Sequence, residues 1–190
     1  MTHVVGRSPA VAIGLGALLA FPAIGQVSDH SAHHKTRGDE TMISTPKSLA
    51  VEHHELHEVL AGAARQGGDL GLAAQQLEKV LAPHFRREEE IATPPLGLLH
   101  ALATGEPTAE MRAVLPMTTA LEKELPQMLR EHEAIRAAAL AFRQAAMSAK
   151  RDEFVRFADA LAAHARQEEE ILYPAAILVG RYVAKAAPTR

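Results

Sequence analysis

A chain of 190 residues, 47% hydrophobic and only 4% aromatic, is long enough for one domain whose core is built from Ala, Leu, Val and Ile, and its alanine and leucine favour helix. A formal net charge of -3, with no dense Lys/Arg cluster, speaks against a nucleic-acid face. The absence of cysteine removes disulfides, thiolate metal sites, iron–sulfur ligation and cysteine nucleophiles together, whereas 11 histidines are many for this length.

Residues 1–28 carry one positive charge, Arg7, ahead of the uncharged run PAVAIGLGALLAFPAIGQVS. A basic start, an apolar middle and small residues at Ala23 and Gly25 before Gln26 form the pattern of a secretory signal peptide. An uncleaved anchor through residues 8–28 is the rival, weakened by Pro9, Gly14, Gly16 and Pro22. Translation from Met42 is the third reading. Cleavage near residue 25 implies a periplasmic or secreted protein, an anchor implies membrane attachment through residues 8–28 alone, and a start at Met42 implies the cytoplasm. Residues 29–45 form a polar linker whose His30, His33 and His34 are expected in a solvated tail rather than in a metal-capturing tract.

Residues 46–187 are the expected domain. Thr45-Pro46 marks a helix start, cap residue followed by proline. Helices are predicted over roughly 46–66, 70–91, 109–148 and 152–172. The breaks fall at Gly67-Gly68-Asp69, at a long connection with Pro94, Pro95, Gly105 and Pro107, and at Ser148 to Asp152. Pro116 and Pro126 are expected to kink or delay the third helix, and a short tail helix follows Pro174. Two tight hairpins and one long crossing imply an all-α, antiparallel up-down-up-down four-helix bundle.

Each helix interrupts its apolar stripe with one histidine. The stripes run Leu49, His53, Leu56, Leu60; then Leu77, Leu81, His84, Glu88, Ile91; then Leu121, Leu125, Met128, His132, Ile135, Ala139, Phe142; then Phe154, Phe157, Leu161, His164, Glu168, Ile171. Two helices add a glutamate one turn after the histidine. The midpoint of His53 and His84 falls between Gly68 and Asp69, and that of His132 and His164 at Ser148, both at predicted turns. The histidines are therefore level, and each hairpin is expected to bring its own two face to face.

Ionised carboxylates in a dry interior cost several kcal/mol each, and no Lys or Arg lies on these stripes. A metal removes the difficulty. Four imidazoles and two carboxylates exceed one tetrahedral zinc and suit two ions, with carboxylates able to bridge them. The bland rival is a bundle whose core tolerates these six polar groups as a hydrogen-bond network, an arrangement that is destabilising when only partly satisfied.

The segments EHHELHEVL around His53, HFRREEE from His84, EHEAIRAAAL around His132 and HARQEEEILYP from His164 resemble the hemerythrin-like, or HHE cation-binding, family over about residues 46–184. The resemblance implies a non-haem di-iron centre with His53, His84, Glu88, His132, His164 and Glu168 as ligands and the two glutamates bridging. Manganese or zinc would fill the same ligands. It implies binding or sensing of dioxygen or nitric oxide. Some relatives are linked instead to iron handling or redox sensing. The family's oxygen carriers use five histidines where the matching positions here supply four. His57, one turn beyond His53, is the candidate fifth, while His54 and His100 are expected to be exposed or structural. Glu89, Glu90, Glu169 and Glu170 are expected on a solvated acidic face.

No catalytic residue is assigned, and the chain reads as a metal- and gas-binding protein rather than an enzyme. A ferritin-like di-iron oxidase, the alternative, uses Glu-x-x-His pairs, and no histidine here has a glutamate three positions before it. The zinc-hydrolase pattern H-E-x-x-H is one residue short in His54-Glu55-Leu56-His57.

Overall fold

The computed structural model describes residues 43–189. The expected leader over residues 1–28, and the linker up to residue 42 with its three histidines, lie outside the described residues. Within them every regular element is helical: α1 (Lys47–Ala64), α2 (Gly68–Ile91), a short α3 (Leu99–Thr104), α4 (Leu115–Ser148), α5 (Asp152–Gln167) and α6 (Tyr173–Ala186). Turns of 3-10 helix at Pro94–Leu98 and Glu110–Val114 flank α3, and a π turn at Glu168–Leu172 joins α5 to α6. Among the described residues no helix is long and apolar enough to cross a membrane.

The two hairpin turns close where glycine and polar residues predicted them. Gly67 and Gly68 take φ of 70° and 56°, values that only glycine adopts without strain. Helix α2 begins at Gly68, slightly earlier than expected, so Asp69 enters its first turn, where a negative charge complements the helix dipole. At the second turn Lys150 is left-handed (φ 55°). Its N–H donates to Met147 C=O, and that of Arg151 to Ala146 C=O, which closes the end of α4 as a Schellman motif.

Three expectations need correction. Thr45 does not cap α1; its hydroxyl shares a hydrogen bond of 2.8 Å with Thr93, tying the chain before α1 to the end of α2. The third helix starts at Leu115 rather than near residue 109. Pro116 sits in its first turn, and α4 runs through Pro126 unbroken. Pro126, like Pro83 in α2, is on the solvent face, where water can hydrate the carbonyl that lost its N–H partner. Nor is the tail helix a separate element: α5 continues through the π turn into α6.

That π turn shifts the helical phase. Buried on α5 are Phe154, Phe157, Ala158, Leu161, His164 and Ala165; Glu168 follows at the start of the π turn, and the next buried residue is Tyr173, five residues on, followed by Ala176, Val179, Gly180 and Val183. Ile171, expected on the buried stripe, is consequently 57% exposed.

Helix α2 packs against α1 and α4, α5 against α4 and α1, and α6 against α4. The ties are specific: Glu52 to His164 joins α1 to α5, Gln66 to Arg151 joins the two hairpin turns, Arg87 to Glu124 joins α2 to α4, and Arg143 to Asp159 joins α4 to α5. Two apolar layers of the core flank the histidine level, and a third cluster around Leu98, Met111, Val114 and Val183 lies under α3 and α6. Toward the hairpin turns lie Leu60, Leu77, Leu81, Phe142, Phe157 and Leu161. Beyond the other end of the histidine level lie Ile91, Leu96, Leu121, Met128 and Tyr173. Each fully buried leucine contributes about 1.5–3 kcal/mol of transfer free energy, so these layers stabilise the ring of polar residues between them.

Gly180 permits the close approach of α6 to α4. A Cβ there would lie 2.5 Å from Thr118 Cβ and 2.8 Å from its Cγ2, and Thr118 is itself buried. Gly180→Ala should lower the unfolding free energy by about 1–3 kcal/mol through overpacking. Gly62→Ala in α1, where the nearest atom is Arg65 Nη2 at 3.7 Å, should raise it by up to about 1 kcal/mol. Urea unfolding followed by circular dichroism measures both; equal effects would contradict a tight α4–α6 contact.

Candidate metal centre

His53 comes from α1, His84 and Glu88 from α2, His132 from α4, His164 from the last turn of α5, and Glu168 opens the π turn. All six are buried, between 0% and 5% exposed. Their donor atoms form two groups: His84, Glu88, His132 and Glu168, and His53, His164 and Glu168, with the atoms of each group within 4.8 Å of one another. Glu168 belongs to both. Its Oε1 lies 2.7 Å from His164 Nε2 and 3.8 Å from His53 Nε2, and its Oε2 lies 3.3 Å from His132 Nε2. Glu88 also reaches across, with Oε1 3.6 Å from His84 Nε2 and Oε2 3.8 Å from His53 Nε2.

The closest histidine partners are not hairpin mates. His84 and His132 approach to 2.8 Å between Nε2 atoms, and the rings of His53 and His164 lie 5.5 Å apart, edge to face. The donors do converge, but the histidine pairs form between α2 and α4 and between α1 and α5. Distance from a turn determines height along a hairpin; it does not determine which way a residue faces around the helix.

Every one of these imidazoles is held from outside by a carboxylate on another helix. Nδ1 of His53 lies 3.2 Å from Glu89, that of His84 2.8 Å from Glu131, that of His132 2.7 Å from Glu169, and that of His164 3.1 Å from Glu52. A proton donated from each Nδ1 leaves the lone pair of each Nε2 pointing inward, the tautomer that a metal requires. The interior then has too many lone pairs. His84 and His132 direct Nε2 atoms at each other, Glu88 Oε2 is buried with no hydrogen-bond partner, and the close approach of His164 Nε2 to Glu168 falls outside hydrogen-bond alignment. Cations seated among these atoms would satisfy all of them, so the donor set fits a metal site in number, type and orientation.

Without metal the cluster must hold protons. Burial, reinforced by the nearby Glu168 charge, pushes the Glu88 carboxyl well above the usual carboxylate range. Burial also opposes ionisation of Glu168, but the imidazoles of His132, His164 and His53 beside it outweigh burial and hold that carboxyl well below the usual range. Burial opposes charge on His164 too, yet the carboxylates of Glu168 and Glu52 on either side of the ring prevail and push it up to about 10. Burial draws His84 below the ordinary imidazole value.

Aromatic rings cover the site on both sides. Phe85 stacks on His53 with centroids 4.2 Å apart, and Tyr173 stacks on His132 at 5.7 Å. The Tyr173 hydroxyl donates to Glu88 Oε1 and lies 3.1 Å from His132 Nε2 and 3.4 Å from His84 Nε2. Burial raises the pKa of this hydroxyl and keeps it a donor.

The structure does not bring His57 to the cluster. It is half-buried, its Nδ1 sits 3.2 Å from Glu78, and its ring meets the edge of Phe85. His54 and His100 are exposed, as expected. Glu89 keeps an exposed position and Glu169 a partly exposed one, but both also hold imidazoles from outside, His53 and His132, a role the acidic-face expectation did not include. Tyr173, too, has no role in the stripe pattern. A regular helix would have placed Leu172, four residues after Glu168, on the inward face, and no local residue signal announces the π turn.

Two outcomes follow. Glu131→Ala should weaken metal uptake about 10–100-fold with unchanged helix content, because it frees the His84 ring; competition against a chelator measures it, and undiminished affinity would contradict an orienting role. Because the Glu88 carboxyl is pushed up and His164 is pushed up to about 10, both favour protons that a metal must displace, so loading should release protons and uptake should weaken as pH falls. A pH indicator in weak buffer checks this, and proton-neutral loading would contradict the charge assignment.

Residues 117–187 match the family model described as the hemerythrin HHE cation binding domain. That span holds His132, His164, Glu168 and Tyr173, while His53, His84 and Glu88 precede it. No curated protein and no solved structure matches the chain. Over residues 117–187 the chain is hemerythrin-like, and its buried histidines and glutamates suggest a metal site of the kind that family's name describes.

Proposed function

We propose that this chain is a non-haem di-iron protein that binds or senses dioxygen, with nitric oxide as the other candidate ligand. The observation that carries the reading is the pair of donor groups sharing Glu168. Two groups with a common carboxylate are what two adjacent cations need, and neither group alone accounts for all six donors. His84 and His132 would hold one ion, His53 and His164 the other, with Glu168 and Glu88 between them. The antiparallel up-down-up-down arrangement is part of this reading. It is supported by ties that run in opposite sequence directions: Glu52–His164 with Gln66–Arg151, and His84–Glu131 with Arg87–Glu124.

Bound ferrous ions would supply electrons and open positions for a diatomic ligand. The protein's part is orientation and exclusion. The outer glutamates hold the rings, the two interior carboxylates offset the cations' charge, and Phe85 and Tyr173 with the flanking apolar layers keep bulk water out. Only four histidines converge, one fewer than in the family's oxygen carriers. One ion is thereby left more open, which is why oxidase-like or iron-handling behaviour is the second reading.

Anaerobic ferrous loading should give two irons per chain, raise the Tm, and yield a visible spectrum that changes in air and reverts on deoxygenation. The double variant His84→Ala, Glu88→Ala should lose both the iron and the metal-dependent rise in Tm. Much less than two irons in the wild type would overturn the di-iron reading. Irreversible oxidation with release of peroxide would favour the oxidase, and preferential uptake of manganese or zinc would replace iron. Residues 1–25 we read as a cleaved leader, which would place the bundle in the periplasm or outside the cell. Intact mass of the native protein tests this: loss of residues 1–25 agrees, retention indicates an anchor, and a start at Met42 indicates the cytoplasm.

A further inference from the structure

We propose that Tyr173 is a positioning residue of the metal centre, whose hydroxyl fixes the Glu88 carboxylate so that one oxygen serves each donor group. The inference rests on the two-ion reading above and adds a member to the site. Its first support is the π turn. The buried phase steps five residues from Glu168 to Tyr173, and the extra residue brings this side chain inward next to a ligand. Single π turns in otherwise regular helices occur frequently at functional sites.

The second support is the geometry at Glu88. Tyr173 is 1% exposed, and its hydroxyl donates to Oε1, the oxygen on the His84 side. Oε2 has no hydrogen-bond partner and faces His53, 3.8 Å away. A carboxylate free to rotate could direct both oxygens at a single cation. With Oε1 held by the phenol, the plane of the group is set and Oε2 is left to the second cation. The stack on His132 needs only the ring, so a phenylalanine would serve packing equally well. The hydroxyl is therefore the part that packing does not require.

Tyr173→Phe in the full chain isolates that hydroxyl. Wild type and variant are titrated anaerobically with ferrous iron against a competing chelator, and the loaded forms are compared by Mössbauer spectroscopy. The variant should keep its helix content and still take up two irons, one of them about 10–100-fold more weakly. Its Mössbauer splittings should differ from those of the wild type. An identical titration and identical spectra would overturn the proposal. A loss confined to the Tm of the metal-free protein, with unchanged spectra of the loaded form, would also overturn it, since that is what a packing hydrogen bond does.

Should Tyr173→Phe fail to fold, the chain's two tyrosines allow a second measurement. With the exposed Tyr182 replaced by phenylalanine, ring-labelled tyrosine reports on Tyr173 alone in the infrared difference between loaded and metal-free protein. A shifted phenol band on loading supports the contact with the metal centre, and an unshifted band overturns it. A wild type that binds no iron would sink the two-ion reading itself, whereas iron binding indifferent to Tyr173 would sink only this inference.

Discussion

Glu88 and Glu168, at 0% and 2% exposure, bring two carboxyl groups into the middle of a helical bundle with no lysine or arginine among the donors beside them. Stripping water from an ionised carboxylate costs several kcal/mol unless something positive replaces it. In the metal-free protein burial pushes the Glu88 carboxyl up and the carboxylates beside His164 push that imidazole up to about 10, so both groups favour a proton that a cation would displace. The rest of the structure follows from holding these groups in place. Four rings converge because each is held by a glutamate from a neighbouring helix, and two apolar layers keep the level dry.

The same constraint accounts for the irregularities of the helices. Pro83 immediately precedes His84, and Pro174 follows Tyr173 at the π turn. Both prolines face solvent, so the backbone can depart from ideal hydrogen bonding without leaving a dry carbonyl unsatisfied. Along the last helix a strict 3.6-residue period would serve either the α5 face or the α6 face, but not both with Tyr173 inside. One extra residue after Glu168 reconciles them.

Much of this was legible in the sequence, for physical reasons. Histidines at buried-stripe positions and turn residues midway between them point to burial and height, and all six predicted donors come together in two groups that share Glu168. What could not be read was rotation and reach. The partner of His84 is His132 rather than His53, because height along a hairpin does not determine which way a ring points. Glu89 and Glu169 look like surface charge in a helical pattern, since a glutamate at the seam's edge is exposed until a neighbouring helix presents a histidine to it. Tyr173 escaped because its inward position depends on a hydrogen-bond shift in the backbone, and no side chain nearby encodes that shift in an obvious way.

Anomalous diffraction at the iron edge from crystals of the loaded protein tests the account most directly. It should show two peaks inside the bundle, one bounded by His84 and His132 and the other by His53 and His164, with Glu168 touching both. A single peak, or peaks lying among the outer glutamates and leaving the inward imidazole nitrogens without metal, would contradict it.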